Sequence, residues 1–302
     1  MFFYADNMMN FAFSQPLDDD DYIDGAYAFF GVGFDSTTTY KSGARYGPKA
    51  VREASYNFEA YNLRFNKHVT APCYDIGDVA LNNGNYEKTN MMIEDTTKTL
   101  LEMGLKPIAV GGEHTITNGT LGAIYDYDHE LFHDLTVVHL DAHLDMRDTY
   151  LDEKFSHATV LRRVAEHNPR EIIQLGIRSA EYDELQYVNS QDNISYYTSY
   201  DIFDRKDEIL KTLNKIDSPV YITVDIDVLD PAYAPSVGTP APCGLTPRDV
   251  EDIIEVVSNK DVVGLDVVEV SSDTIGDVTS INAAKVIYDF LTHKSTQDNS
   301  LN

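Results

Sequence analysis

Short apolar runs alternate with amphipathic stretches along the 302 residues. The runs at 26–33, 106–110, 135–140, 171–177, 193–197, 219–224 and 261–267 predict strands. Several are almost unbroken Val, Ile and Leu, the pattern of strands covered on both faces. Helical spacing of apolar positions predicts helices at 48–63, 86–103, 115–125, 158–166, 202–213, 247–257 and 281–291. Gly47-Pro48 and Thr246-Pro247 sign two helix starts, the second with a capping hydroxyl directly before a Pro at the first helical position. Strand–helix alternation of this kind implies βαβ units and a parallel sheet flanked by helices. No linker or repeat interrupts it, so 1–302 reads as a single domain. Residues 1–24 are expected to be an N-terminal extension, 295–302 a disordered tail, and the run Asp18–Asp21 a solvated loop.

Three of the strands end in a burst of ionisable residues: KPIAV runs into GGEH, LTVVHL into DAHLD, and YITV into DIDVLDP. Sites in open α/β sheets form beyond the carboxyl ends of strands. In extended chain every second side chain shares a face, so Asp141, His143 and Asp145 point one way, as do Asp225 and Asp227. His114 follows the Gly111-Gly112 turn and adds a sixth group. Taken singly, GGEH is an ordinary glycine turn and DIDVLDP a polar turn closed by Asp230-Pro231. Together at three strand ends they gather four carboxylates, which repel one another and raise one another's pKa. A divalent cation relieves that repulsion, and this much negative charge calls for two. His139 shares the parity of Asp141; core packing is the favoured reading, with a supporting contact to Asp141 as the alternative.

Charge narrows the function. With 23 basic and 50 acidic residues the net charge is −27. That charge argues against nucleic acid as a partner, since phosphates need a basic face. Metal ions and polyamine-like cations suit an acidic surface, although a chain adapted to a salty cytosol carries the same excess of carboxylates. At 43% hydrophobic the chain can bury a sizeable core. It has no apolar run long enough for a membrane span. The N-terminal stretch lacks the basic region of a signal peptide. Cys73 and Cys243 form no CxxC and read as free thiols, which places the protein in the cytoplasm.

The segments GGEHTIT, VVHLDAHLDMRD, SHAT, YITVDIDVLDPAYAPSVGTPAPCGLT and GLDVVEVS, in that order, resemble the motifs of the ureohydrolases, the arginase and agmatinase family. The resemblance extends from about Phe30 to Ile287. It implies a three-layer α/β/α domain around a mainly parallel sheet. It also implies two metal ions, one held by His114, Asp141, Asp145 and Asp225, the other by Asp141, His143, Asp225 and Asp227, with a bridging hydroxide as nucleophile. Oxygen-rich ligation with two histidines suits Mn²⁺, and Fe²⁺, Co²⁺ or Ni²⁺ fit the same donors. Glu269 matches the family glutamate that pairs with the guanidinium, and His157 the histidine assigned to proton transfer. Family relatives assemble as trimers or hexamers, so a homo-oligomer is expected.

The stretch FFGVGFDSTTTYKSGARYGPKAVREASYNFEAYN resembles the agmatinase branch. Arginases carry an Asn where this chain has Arg147, so their carboxylate clamp is broken. Glu181 falls where arginases carry an acidic residue near the substrate amine. Agmatine, cut to putrescine and urea, is therefore the expected substrate. Aminopropylagmatine, guanidinobutyrate and arginine are the alternatives, and Arg147 is the residue that would meet an acidic one. Two other classes compete: a single-zinc deacetylase of similar fold, which needs only three of these ligands, and a non-catalytic cation-binding protein.

Overall fold

The computed structural model describes residues 9–18 and 21–296. In chain order its strands are β1 (Gln15–Pro16), β2 (Tyr27–Val32), β3 (Tyr61–Asn62), β4 (Lys67–His68), β5 (Cys73–Asp78), β6 (Lys106–Gly111), β7 (Thr136–Leu140), β8 (Glu171–Ile177), β9 (Ile194–Thr198), β10 (Val220–Asp225) and β11 (Val262–Val268). The helices are α1 (Gly47–Ser55), α2 (Tyr86–Glu102), α3 (Thr117–Tyr127), α4 (His129–His133), α5 (Val160–Glu166), α6 (Tyr182–Asn189), α7 (Ser199–Leu213), α8 (Pro247–Ser258) and α9 (Val278–Lys294). Nine strands form one parallel sheet in the order β1-β5-β2-β6-β11-β10-β7-β8-β9, and β3 and β4 pair apart from it as an antiparallel hairpin.

Alternate residues of the central strands feed two different cores. Val138, Leu140, Ile222 and Val224 pack with Val51 of α1, Ile209 of α7, Ile253 of α8 and Ile287 of α9. Val137 and Tyr221 face the other way, onto Leu121 and Ile124 of α3 and Val164 of α5. Ala28, Phe30 and Ala109 do the same with Ile93 and Leu100 of α2. The result is the three-layer α/β/α arrangement. Burying each such Val, Ile or Leu is worth roughly 1.5–3 kcal/mol, which is why unbroken apolar strands sit at the centre.

The strand order also creates the site. After β6 the chain leaves the middle of the sheet and re-enters at β7, leaving a gap that β10 and β11 fill later. The carboxyl ends of β6, β11, β10 and β7 therefore lie side by side, where the connections depart in different directions.

Several predicted boundaries need correction. The helix expected over 48–63 stops at Ser55, because Phe58 turns in to stack on Tyr288 at 4.9 Å and the chain then enters the β3–β4 hairpin. β5, α4 and α6 were not anticipated. β5 hides an acid in its centre: Asp75 is buried because Arg52 and the Phe11 N–H satisfy it. The stretch before residue 25 contributes to the fold, with Phe11 buried against Phe29 and Gln15–Pro16 pairing with β5. Ser295 is also ordered. Its Oγ accepts from the N–H groups of Thr70 and Ala71 and donates to the Leu291 carbonyl. The rest of the expected tail, from 297 on, and Asp19–Asp20 of the acidic run lie outside the described residues. Both cysteines are free, Cys73 buried and Cys243 exposed. Among the described residues no helix is long and apolar enough to cross a membrane.

Candidate metal centre and catalytic cavity

His114 enters on the turn after β6, Asp141 to Asp145 on the loop after β7, Asp225 and Asp227 at the end of β10, and Glu269 just beyond β11. Extended-strand alternation is not what turns these side chains together. Strand β7 ends at Leu140, Asp145 has φ +52°, and Asp227 sits in a 3-10 turn, so the loops themselves turn these side chains inward.

His114 Nδ1 faces Asp141 Oδ2 at 3.1 Å, Asp145 Oδ2 at 3.3 Å and Asp225 Oδ2 at 3.6 Å. His143 Nδ1 faces Asp141 Oδ1 at 3.3 Å and Asp227 Oδ2 at 3.1 Å. Asp141 thus turns one oxygen to each histidine. All six predicted metal-ligand residues are brought together, and His157, Glu269, Arg147 and Glu181 line the same cavity of about 230 Å³.

Donor chemistry and charge both fit metal ions. His114 Nε2 is engaged by Thr223 Oγ1 at 2.8 Å, while Nδ1 is buried without a well-aligned hydrogen bond although three carboxylates converge on it. An sp² nitrogen and several carboxylate oxygens aimed at one point are what a divalent cation takes. Buried side by side, these carboxylates repel one another and disfavour the bare charged form, which is the condition a cation relieves. Burial and the charges of Asp227 and Asp141 push Asp225 well up, and burial with the Asp141 charge takes Asp145 to about 7. Burial works against a charged His143, yet Asp227 and Asp141 overcome it and raise the imidazole to about 12.

Supporting contacts explain how the ligands are held. Thr223 Oγ1 donates to Asp266 Oδ1 at 2.6 Å, so its lone pair accepts the His114 Nε2–H and leaves Nδ1 for a cation. Tyr221 and Thr117 supply two more hydroxyls to Asp266. His139 Nε2 lies 2.9 Å from Asp141 Oδ2 and its Nδ1 3.0 Å from Gln174. Its atoms also fall close to those of His114, Asp141 and Asp145, but both ring nitrogens are engaged, so it orients Asp141. That corrects the core-packing preference. Asp266 is an acid inside an apolar strand, VVGLDVV, and that interruption is the sequence signal that could have singled it out.

Glu269, at φ +69°, turns back over the site and accepts the His114 N–H at 2.9 Å. Burial and the charge of Glu113 push its carboxyl up to about 8. Burial, reinforced by His143 and His114, takes His157 down to about 4. Opposite them, Arg147 reaches Glu181 at 3.3 Å and Glu184 at 3.9 Å and lies over the Tyr150 ring. Glu184 was not singled out in the sequence. It is buried, accepting from the Met146 and Glu181 N–H groups.

A model of the arginase family matches residues 26–293. The chain belongs to the arginase family. It is 36% identical to the N(1)-aminopropylagmatine ureohydrolase of Thermococcus kodakarensis, over 87% of this chain and 88% of that protein. It is 34% identical to the agmatinase of Bacillus anthracis, over 87% and 89%, and 34% identical to the guanidinobutyrase of Pseudomonas aeruginosa, over 87% and 85%. Among solved structures, the agmatine ureohydrolase of Thermoplasma volcanium superposes with a TM-score of 0.81 at 32% identity, covering 95% of this chain and 94% of that one. This arginase-family chain is a hydrolase acting on guanidino compounds. Members of the family use a binuclear metal site, and this chain has a His/Asp cluster.

Proposed function

We propose that the chain is an agmatine ureohydrolase, cutting agmatine into urea and putrescine, with two manganese ions held by His114, Asp141, His143, Asp145, Asp225 and Asp227. The observation that carries the substrate is the state of Arg147. Two glutamates neutralise it, so the outer wall of the cavity presents one guanidinium against Glu181 and Glu184 and is acidic on balance. That wall suits the ammonium end of agmatine and, among the described residues, offers no unpaired cation for the carboxylate of arginine or guanidinobutyrate.

When bound, the metal pair makes a water nucleophilic near neutral pH. Glu269 receives the guanidinium at the inner end of the cavity. The substrate's charge offsets the burial and repulsion that otherwise keep this carboxyl protonated to about pH 8. His157 lines the same cavity as a neutral imidazole, so it can take up a proton and hand it to the departing nitrogen as the C–N bond breaks. Thr223–Asp266 and His139 fix the rings and carboxylates beneath, which limits reorganisation during the reaction.

Aminopropylagmatine is the second reading that an observation favours. Thr39 and Tyr150 line both the cavity and a neighbouring groove of about 780 Å³ that carries Glu87 and Glu153. A longer cationic tail has somewhere acidic to go. The test is product analysis: protein stripped with chelator and reloaded with Mn²⁺ should yield urea and putrescine in equal amounts from agmatine. Urea from aminopropylagmatine with none from agmatine would replace the first reading by the second.

A further inference from the structure

Glu113, between the Gly-Gly turn and His114, belongs to none of the roles above. It is fully buried. Its Oε2 accepts the Thr37 N–H at 2.8 Å and the Thr38 hydroxyl at 3.1 Å. Its Oε1 accepts the hydroxyls of Thr37 at 2.6 Å and Thr115 at 2.8 Å. The Thr37 N–H can only donate, which fixes Oε2 as an acceptor, and both hydroxyls have Oε1 as their acceptor.

Thr37 continues the chain of contacts. A hydroxyl has one hydrogen, and the short contact to a carboxylate is the strongest use for it. Its lone pairs are then left for donors. Thr37 Oγ1 accepts the His157 N–H at 3.2 Å and lies 3.4 Å from His157 Nδ1. An oxygen whose hydrogen is already committed cannot donate to that ring nitrogen. The Tyr150 ring meets the imidazole edge-on with centroids 5.5 Å apart, restraining it from a second direction. Both hydroxyl contacts of the ring fall on Nδ1 and not on Nε2.

We propose that Glu113 is a positioning residue that works through Thr37 to hold His157 as its Nδ1–H tautomer, leaving Nε2 to exchange the proton at the departing nitrogen. This rests on the proton-transfer role proposed for His157. Ser156 Oγ is the competing hydroxyl, also 3.4 Å from Nδ1.

The test reads the tautomer directly, by long-range ¹H–¹⁵N correlation on histidine-labelled protein loaded with diamagnetic Zn²⁺, alongside kinetics with Mn²⁺. Wild type and Thr37→Ser should show His157 protonated at Nδ1. Thr37→Val and Glu113→Gln should both lose that pattern. Their kcat should fall by ~10–100-fold, the range for a lost supporting partner, with KM and metal content within about twofold. Wild-type protein protonated at Nε2 overturns the proposal. So does Thr37→Val with tautomer and kcat unchanged, or a Ser156→Ala variant that alone switches the tautomer. The spectra stand whether or not agmatine is the substrate, so failure here is distinguishable from failure of the assigned reaction.

Discussion

Asp141 offers one oxygen to His114 and the other to His143, with His139 bonded behind it. Replacing it with Ala should remove both metals, because its two oxygens face the two halves of the cluster. Metal analysis after gel filtration checks this, and a variant that still holds two ions per subunit contradicts it. His157 is different in kind. His157→Ala should lower kcat by ~10²–10⁴-fold, the usual loss for a missing acid–base group, while metal content stays unchanged; loss of metal would show that the residue is structural. The acidic strand ends were legible because Asp and His after apolar runs are conspicuous. Glu113, Thr37 and Thr223 were not. Nothing in the letters E and T reveals that four donors converge on one carboxylate from chain up to 76 residues away.

At the scale of elements, the periodicity located the strands that are apolar along their whole length. β5 escaped because its interior acid is satisfied only by Arg52 and the Phe11 N–H, partners brought in by tertiary structure. The short α4 and α6 contain too few turns to show a period. α8 was legible from Thr246-Pro247, and the structure has a reciprocal capping box there with Asp249. α9 makes a prediction of its own. His293, packed 4.1 Å from the Phe65 ring, is held down to about 4 by burial, against an ordinary value of 6.5. The folded chain thus refuses a proton that the unfolded chain accepts. The associated stability is complete above about pH 6.5 and is lost as pH falls through about 4. Thermal melts should show wild type losing more Tm than His293→Gln between pH 6.5 and 4. Parallel curves would mean that the half-buried imidazole contributes nothing.

The whole molecule sets the bias toward cations. A chain of net charge −27 attracts a dication and disfavours a substrate carrying a carboxylate, an effect that salt weakens. Inside the cavity the bias is local: Glu181 and Glu184 outnumber Arg147 at the wall that the far end of a substrate reaches. An arginine carboxylate placed there loses favourable contacts and meets like charge, each costing about 1–3 kcal/mol. The most direct test is kcat/KM for urea release from agmatine and from arginine, with the same Mn²⁺-loaded protein at matched salt. Agmatine should exceed arginine by at least about a hundredfold. Equal efficiency for the two would contradict the assignment of agmatine, while leaving the chain a guanidino hydrolase.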